Sequence, residues 1–527
     1  LFITKNKSFL VFIATYALIS CIDVWLFSSL VQSNDSFQYL SIAENYSNGN
    51  WFDAVSGYWS PLLSWLSAPF VQYFKNKILI LKLLNKAVGV IGLLVGIKWI
   101  EEFTTTNNYK IVRVIVYLIW ILLLTIYSHT ETADFLSANL LLGLTFLVFK
   151  IGKPTIVKAI VVGVLAALTY FAKYYNFWFV QWLLLVFLLI IFKDTPKQFV
   201  KFYLLQLVVF LVLSGGWVYV MHRKFGLWRV EYVSRLNKAI FGPDNCNINY
   251  IESEMINPLL KMGLIKPLPN QLTINGDDPR VYYKIKEWNM FANQHIERTK
   301  SIFIKNFKSV YYDFVFRYLL FFTLLLILFY FLKCRDSLNI KSIIFWFVSF
   351  FYIVGYLVIF YAPRYAYYNH FITFIFFASM GLVCLHTNWG KIIFYFGLII
   401  LLRNVFILYK NDWHQLQHQK PILSAINQLK QLNIKGNTCF IGNINYENAV
   451  KLNEVSFDYL MINYYLKNIQ CGVLDINTIN QSDINRIKEL NINFLFLDRI
   501  PTKQLLQKLG HRNYMVLRSN GLTLVND

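Results

Sequence analysis

The sequence predicts an α-helical multi-pass membrane protein with about 11 transmembrane helices, entering from the cytoplasm and leaving outside. Three observations predict it. Hydrophobic residues make up 57% of the 527 and charged residues only 15%, whereas about a quarter of a soluble chain is charged. Apolar stretches long enough to cross a bilayer recur along the chain. Lysine and arginine then alternate between rich and poor loops, which orients the spans.

The apolar stretches fall near 8–30, 78–97, 111–128, 134–150, 155–172, 176–192, 199–221, 314–332, 341–361, 369–387 and 391–409. The first is too long for a signal peptide and leads into further spans, so it reads as a retained helix. With the N-terminus inside, the inner loops hold Lys98, Lys110, Arg113, Lys150, Lys153, Lys158, Lys193, Lys197, Lys201, Lys333, Arg335, Lys341 and Lys391. The short outer loops hold little beyond Lys75, Lys77, Lys173 and Arg364. Everything after about 410 is then outside. Residues 31–76 form a first outer loop with apolar residues at helical spacing, predicting helices along the interface. Residues 222–312 form a second, polar and turn-rich around Gly242-Pro243-Asp244 and Asn275-Gly276-Asp277-Asp278-Pro279. The domain reading is a transmembrane part, 1–410, followed by an extracytoplasmic α/β domain, 411–527. Its strands are expected at Thr438 to Ile441 and Asn493 to Leu497, and its helices at 421–432, 446–452, 481–490 and 501–509. The six cysteines have no CxxC spacing, and neither a zinc site nor a disulfide framework is indicated.

Net charge is +22, and acidic residues are scarce enough for their placement to be informative. Asp35 follows the first span. Glu131 and Asp134 occupy the short turn before the fourth, Lys173 closes the fifth, and Arg364 precedes a late span. Residues far apart in sequence thus arrive at one membrane face. A carboxylate there must be solvated, paired or used. Each also has a plain structural explanation: Asp35 as a helix N-cap, Glu131 and Asp134 as solvated turn residues, Lys173 and Arg364 as snorkelling anchors. Lys82 and Lys86 read as snorkelling residues at the outer end of the second span, and His129 and His370 as interface residues. Asp23, inside the first span, requires a partner that the sequence does not name.

The stretch Asn34-Asp35-Ser36-Phe37-Gln38-Tyr39-Leu40-Ser41-Ile42-Ala43-Glu44-Asn45, followed by Gly49-Asn50-Trp51 and Tyr58-Trp59-Ser60-Pro61-Leu62-Leu63-Ser64-Trp65-Leu66, resembles the first loop of the GT-C integral-membrane glycosyltransferases. The nearest pattern is the branch of protein O-mannosyltransferases and aminoarabinose transferases. The likeness extends loosely to the turn carrying Glu131 and Asp134, to Leu168-Thr169 through Lys173, and to Arg364-Tyr365. Many relatives have Asp-Glu where this chain has Asn34-Asp35, so a second carboxylate is missing.

The resemblance implies a GT-C-like fold and inverting transfer of a sugar from a polyprenyl-phosphate donor to a lipid, glycan or protein acceptor. In that reading Asp35 is the catalytic base. Lys173 and Arg364, with Arg223 and Lys224 behind them, hold the donor phosphate. Glu131, Asp134, Tyr39 and Trp59 orient acceptor or sugar, the two aromatics serving alternatively as interface residues together with Tyr58. No resident metal or other cofactor is assigned, although Glu131 or Asp134 could hold a divalent cation with Asp35. Membrane lipids are the other partners, and no nucleic acid is expected. The competing readings are a transporter or flippase of a lipid-linked substrate, a surface-polysaccharide polymerase or ligase, and a non-catalytic scaffold. A transporter favours repeated halves and polar groups at the midplane, and neither is evident here. The abundance of Asn, Ile, Lys and Phe suits an AT-rich microbial genome and hence a bacterial inner membrane, with the site on the extracytoplasmic face.

Overall fold

The computed structural model describes residues 7–33, 35–103, 109–233, 295–333, 340–358, 361–431 and 485, together with strands at 437–442, 469–475, 492–497, 513–518 and 521–525. The described chain is mostly helical. In order it forms α1 (Lys7–Phe27), α2 (Asp35–Ser47), α3 (Pro61–Ser67), α4 (Ile78–Phe103), α5 (Lys110–Tyr127), α6 (Ala133–Phe149), α7 (Ile156–Ala172), α8 (Asn176–Ile191) and α9 (Pro196–Phe225). There follow α10 (Ile296–Tyr312), α11 (Phe314–Lys333), α12 (Ile340–Ser349), α13 (Phe351–Leu357), a 3-10 turn at Pro363–Ala366, α14 (Tyr367–Cys384) and α15 (Asn388–Gln431).

Six helices among the described residues are long and apolar enough to cross a membrane: Phe9–Phe27, Ile78–Glu102, Lys110–Tyr127, Pro196–Phe225, Pro363–Cys384 and Asn388–Gln417. Five shorter apolar helices lie at Ala133–Phe149, Ile156–Ala172, Asn176–Ile191, Arg317–Tyr330 and Ile343–Leu357. The protein is an integral membrane protein with a helical bundle, and each expected apolar stretch coincides with one of these helices.

α14 is the axis of the bundle. It is buried nearly throughout and packs against α4, α6, α11 and α15. Trp120 of α5 stacks on Phe374 of α14 with centroids 5.2 Å apart. A Cβ at Gly381 would lie 1.9 Å from the Phe394 ring, so only glycine admits that ring from α15. α7 and α9 close similarly at Gly163, where a Cβ would lie 2.6 Å from the Gln206 carbonyl.

The segment between α1 and α4 contains α2 and α3, which pack on each other and on the bundle. Ser64 Oγ donates to the Tyr39 carbonyl at 2.8 Å and joins the two helices. Pro61 opens α3 at a position where its missing N–H costs nothing.

Three segments differ from expectation. The stretch expected as one span at 341–361 is divided at Phe350 into α12 and α13, and the Tyr175 hydroxyl donates to the Tyr352 carbonyl at 2.9 Å beside the division. Residues 296–312, expected as loop, form the amphipathic α10, with Ile302 and Asn306 buried. The helix of the last expected span does not end near 409: α15 runs on without interruption to Gln431 and takes in the helix expected from 421.

β1 (Asn437–Gly442), β2 (Ile469–Asp475), β3 (Ile492–Leu497), β4 (Asn513–Arg518) and β5 (Gly521–Val525) form one sheet in the order β2-β1-β3-β4-β5. The pairs β1–β2, β1–β3 and β3–β4 are parallel and β4–β5 is antiparallel. Both expected strands are present. The turn-rich stretches at 242–244 and 275–279, and nearly all of the helices expected at 446–452, 481–490 and 501–509, lie outside the described residues.

Candidate functional site

Four charged side chains from four separate elements meet at one end of the bundle. Asp35 begins α2, Asp134 lies in the first turn of α6, Lys173 caps α7, and Arg364 sits on the 3-10 turn before α14. Arg364 Nη2 donates to Asp35 Oδ2 at 2.6 Å, its Nη1 donates to Ser33 Oγ at 2.7 Å, and its Nε faces Asp134 Oδ2 at 3.3 Å. Lys173 Nζ pairs with Asp134 Oδ1. Thr132 Oγ1 donates to Asp134 Oδ2 at 2.8 Å. The result is a ladder of alternating charge, Asp35–Arg364–Asp134–Lys173, in which two carboxylates balance two cations.

The two carboxylates are not equivalent. The Asp134 side chain is 7% exposed and bonded to three neighbours, whereas that of Asp35 is 32% exposed and lies at the end of the ladder. Asp35 is therefore the carboxylate that an incoming molecule can reach. The Lys173 ammonium also lies 3.9 Å from the Tyr365 ring centroid and 4.9 Å from that of Tyr356, a partly aromatic cage that keeps a cation in place. Tyr39 is buried beside the ladder. Burial, and then the Asp35 and Asp134 carboxylates, hold its phenol well above the usual tyrosine range, so it offers a neutral hydroxyl.

Glu131 stands behind this ladder and is fully buried. Its Oε1 faces Lys82 Nζ at 2.7 Å, while Oε2 accepts from Gln32 N at 3.0 Å and from Ser36 Oγ at 3.4 Å. These contacts bracket Asp35 on both sides in sequence. Gln32 in turn donates through Nε2 to Asp412 Oδ1 at 2.7 Å and accepts from Thr130 Oγ1 at 2.9 Å. Trp59 packs against Tyr58, with ring centroids 4.5 Å apart, and against the small cluster of Ile42, Tyr46 and Ala54. Lys224 Nζ donates to the carbonyls of Asp53 and Val55 at 2.9 and 2.8 Å, fastening the loop after α2 to the end of α9. Arg223 Nη1 donates to Tyr219 at 3.5 Å on the exposed side of α9. The described contacts of these two basic residues lie away from the ladder.

A second buried network was only half visible in the sequence. His129 Nε2 lies 2.8 Å from both Asp23 carboxylate oxygens, and its Nδ1 lies 2.5 Å from Asp412 Oδ2. Lys86 Nζ pairs with Asp23 and donates to the Thr125 carbonyl at 2.9 Å. Lys82 and Lys86 thus turn inward rather than snorkel, because each pairs with a buried carboxylate. His129 and His370 are likewise buried rather than interfacial, and His370 Nε2 lies 3.2 Å from Asp313 Oδ2. A lysine pair four residues apart occupies one helix face, and that spacing was the available signal.

No family model and no curated protein matches the chain. One solved structure that it is similar to is ArnT from Cupriavidus metallidurans bound to undecaprenyl phosphate. The identity is 11%, the TM-score is 0.41, and the match covers 87% of this chain and 76% of that one. At this distance no residue's role carries across.

Asp35 and Asp134 are each held by basic side chains and Glu131 is paired with Lys82. Among the described residues no group of three or more His, Cys, Asp or Glu side chains is arranged to hold a metal ion.

Proposed function

We propose that the protein is an inverting glycosyltransferase of GT-C type, moving a sugar from a polyprenyl-phosphate donor to an acceptor at the outer membrane face. The observation that carries this reading is the charge ladder, in which two cations converge beside one reachable carboxylate. The first-loop resemblance supports it independently.

The ladder is electrically balanced, so an arriving phosphate competes with a carboxylate for its cations. Asp134 is enclosed and additionally held by Thr132, while Asp35 is the more exposed and terminal of the two. Phosphate therefore displaces Asp35 from Arg364. Arg364 presents a planar fork to the phosphate oxygens and Lys173 a point charge. Asp35, released from its cation, has its carboxylate oxygens free to face the acceptor once the donor is bound. It accepts the proton of the acceptor hydroxyl or amide as the acceptor atom bonds to the anomeric carbon. The anomeric C–O bond to phosphate breaks on the opposite face, and its electron pair leaves on the polyprenyl phosphate, which the two cations stabilise. One displacement inverts the anomeric centre, and no covalent enzyme intermediate is needed.

Glu131 enters as a positioning residue. Its contacts to Gln32 and Ser36 set the start of α2 and hence the direction of Asp35. The test is Asp35→Asn, assayed separately for turnover and for binding of polyprenyl phosphate. Turnover should fall by at least about 100-fold, the scale of general-base loss, with donor binding retained or strengthened because Arg364 is freed. Retained turnover would refute the assignment.

A further inference from the structure

The far end of α7 borders a cavity remote from the charge ladder. α7 runs 17 residues from Ile156 to Ala172, so its first turn lies about 25 Å from the Lys173 end. There, between the first turns of α7 and α9, is a cavity of about 480 Å³. Lys153, Thr155, Gln198 and Lys201 supply its polar side, while Ile156, Ala159, Phe202 and Leu205 supply an apolar floor. α7 and α9 are pressed together one level deeper at Gly163, which closes the bottom.

What sets two lysines apart from the others at this end of the bundle is the cavity that they share. Lys98 pairs with Glu101, and Lys150 pairs with Glu102 at 2.7 Å. Lys153 and Lys201 form no ion pair among the described residues, and both line the cavity. The loop that presents Lys153 is fixed, because Lys158 Nζ donates to the Lys153 carbonyl at 2.9 Å and also to that of Ile151. Two ammonium groups without carboxylate partners among the described residues, above an apolar floor, complement a phosphate ester attached to an acyl chain.

We propose that this cavity binds the headgroup of an anionic phospholipid of the leaflet opposite the charge ladder, with phosphate between Lys153 and Lys201 and the start of an acyl chain along Phe202 and Leu205. The site is separate from the proposed donor site and does not depend on the transferase reading.

The test is lipid retention by native mass spectrometry on the full chain, equilibrated with phosphatidylcholine vesicles with and without phosphatidylglycerol. The wild-type chain should retain phosphatidylglycerol selectively. Lys153→Gln with Lys201→Gln should weaken that retention by at least about tenfold per lysine, the scale of one hydrogen bond to a charged group. Both lysines are exposed, and their loss leaves the packing intact. Removing two charges elsewhere at the same end, Lys110→Gln with Lys391→Gln, should leave retention unchanged. An equal loss in both double variants would overturn the proposal, because general attraction to the surface would then account for the binding. Displacement of the lipid by inorganic phosphate alone would overturn it as well, since the apolar floor would then contribute nothing.

Discussion

Replacing Lys173 by methionine removes the inner cation of the ladder while keeping a similar apolar stem. At about 4 Å from a phosphate oxygen and an effective dielectric near 20, one ammonium contributes about 4 kcal/mol of Coulomb attraction. Lys173 must share that charge with Asp134, to which it is already bonded. The net loss is then closer to that of one hydrogen bond to a charged group, about 1.5–3 kcal/mol. That corresponds to about 10- to 150-fold weaker binding of polyprenyl phosphate. Folding should survive, because Asp134 retains Arg364 Nε at 3.3 Å and the Thr132 hydroxyl at 2.8 Å. The assay is equilibrium binding of polyprenyl phosphate to purified protein in detergent, with thermal unfolding measured alongside. An unchanged dissociation constant in a folded Lys173→Met variant would refute the assignment of this lysine to the phosphate.

Other expectations follow from the neighbouring contacts. Glu131→Gln keeps the shape but takes the charge from Lys82, and should lower kcat by about tenfold, the equivalent of one displaced hydrogen bond, with donor affinity little changed; a change confined to donor affinity would contradict its positioning role. Lys86→Met leaves Asp23 with His129 as its remaining ionic partner and should destabilise the fold by about 3 kcal/mol, at the low end for a broken buried pair. Adding Asp23→Asn should recover part of that loss in thermal unfolding, and a strictly additive further loss would show that the two do not act as a pair. Cysteines introduced at the exposed Tyr73 and Lys197 should react with a membrane-impermeant maleimide from opposite sides of the bilayer, and labelling from one side would overturn the orientation.

Hydropathy located the long apolar helices but not the amphipathic α10, because crossing hydrocarbon demands long apolar segments whatever they pack against. It could not locate the division at Phe350, where both flanking segments are equally apolar, or the continuation of α15 past 410, where hydropathy falls but the helix continues. In the candidate site, Asp35, Asp134, Lys173 and Arg364 could be singled out because charge at a membrane boundary is costly. Their pairing could not be read, since the residues lie up to 331 positions from their partners. Asp23 was recognisably in need of a partner, but Lys86 and His129 lie 63 and 106 positions away. A lysine near a helix end has the same local sequence whether its ammonium reaches headgroups or a buried carboxylate. Only the packing of α1 against α4 decides which.

The most direct measurement is a structure of the protein with polyprenyl phosphate bound. Phosphate oxygens within hydrogen-bond reach of both Arg364 and Lys173, with Asp35 detached from Arg364, are the expected result. A phosphate held elsewhere, with the Asp35–Arg364 pair intact, would contradict the account.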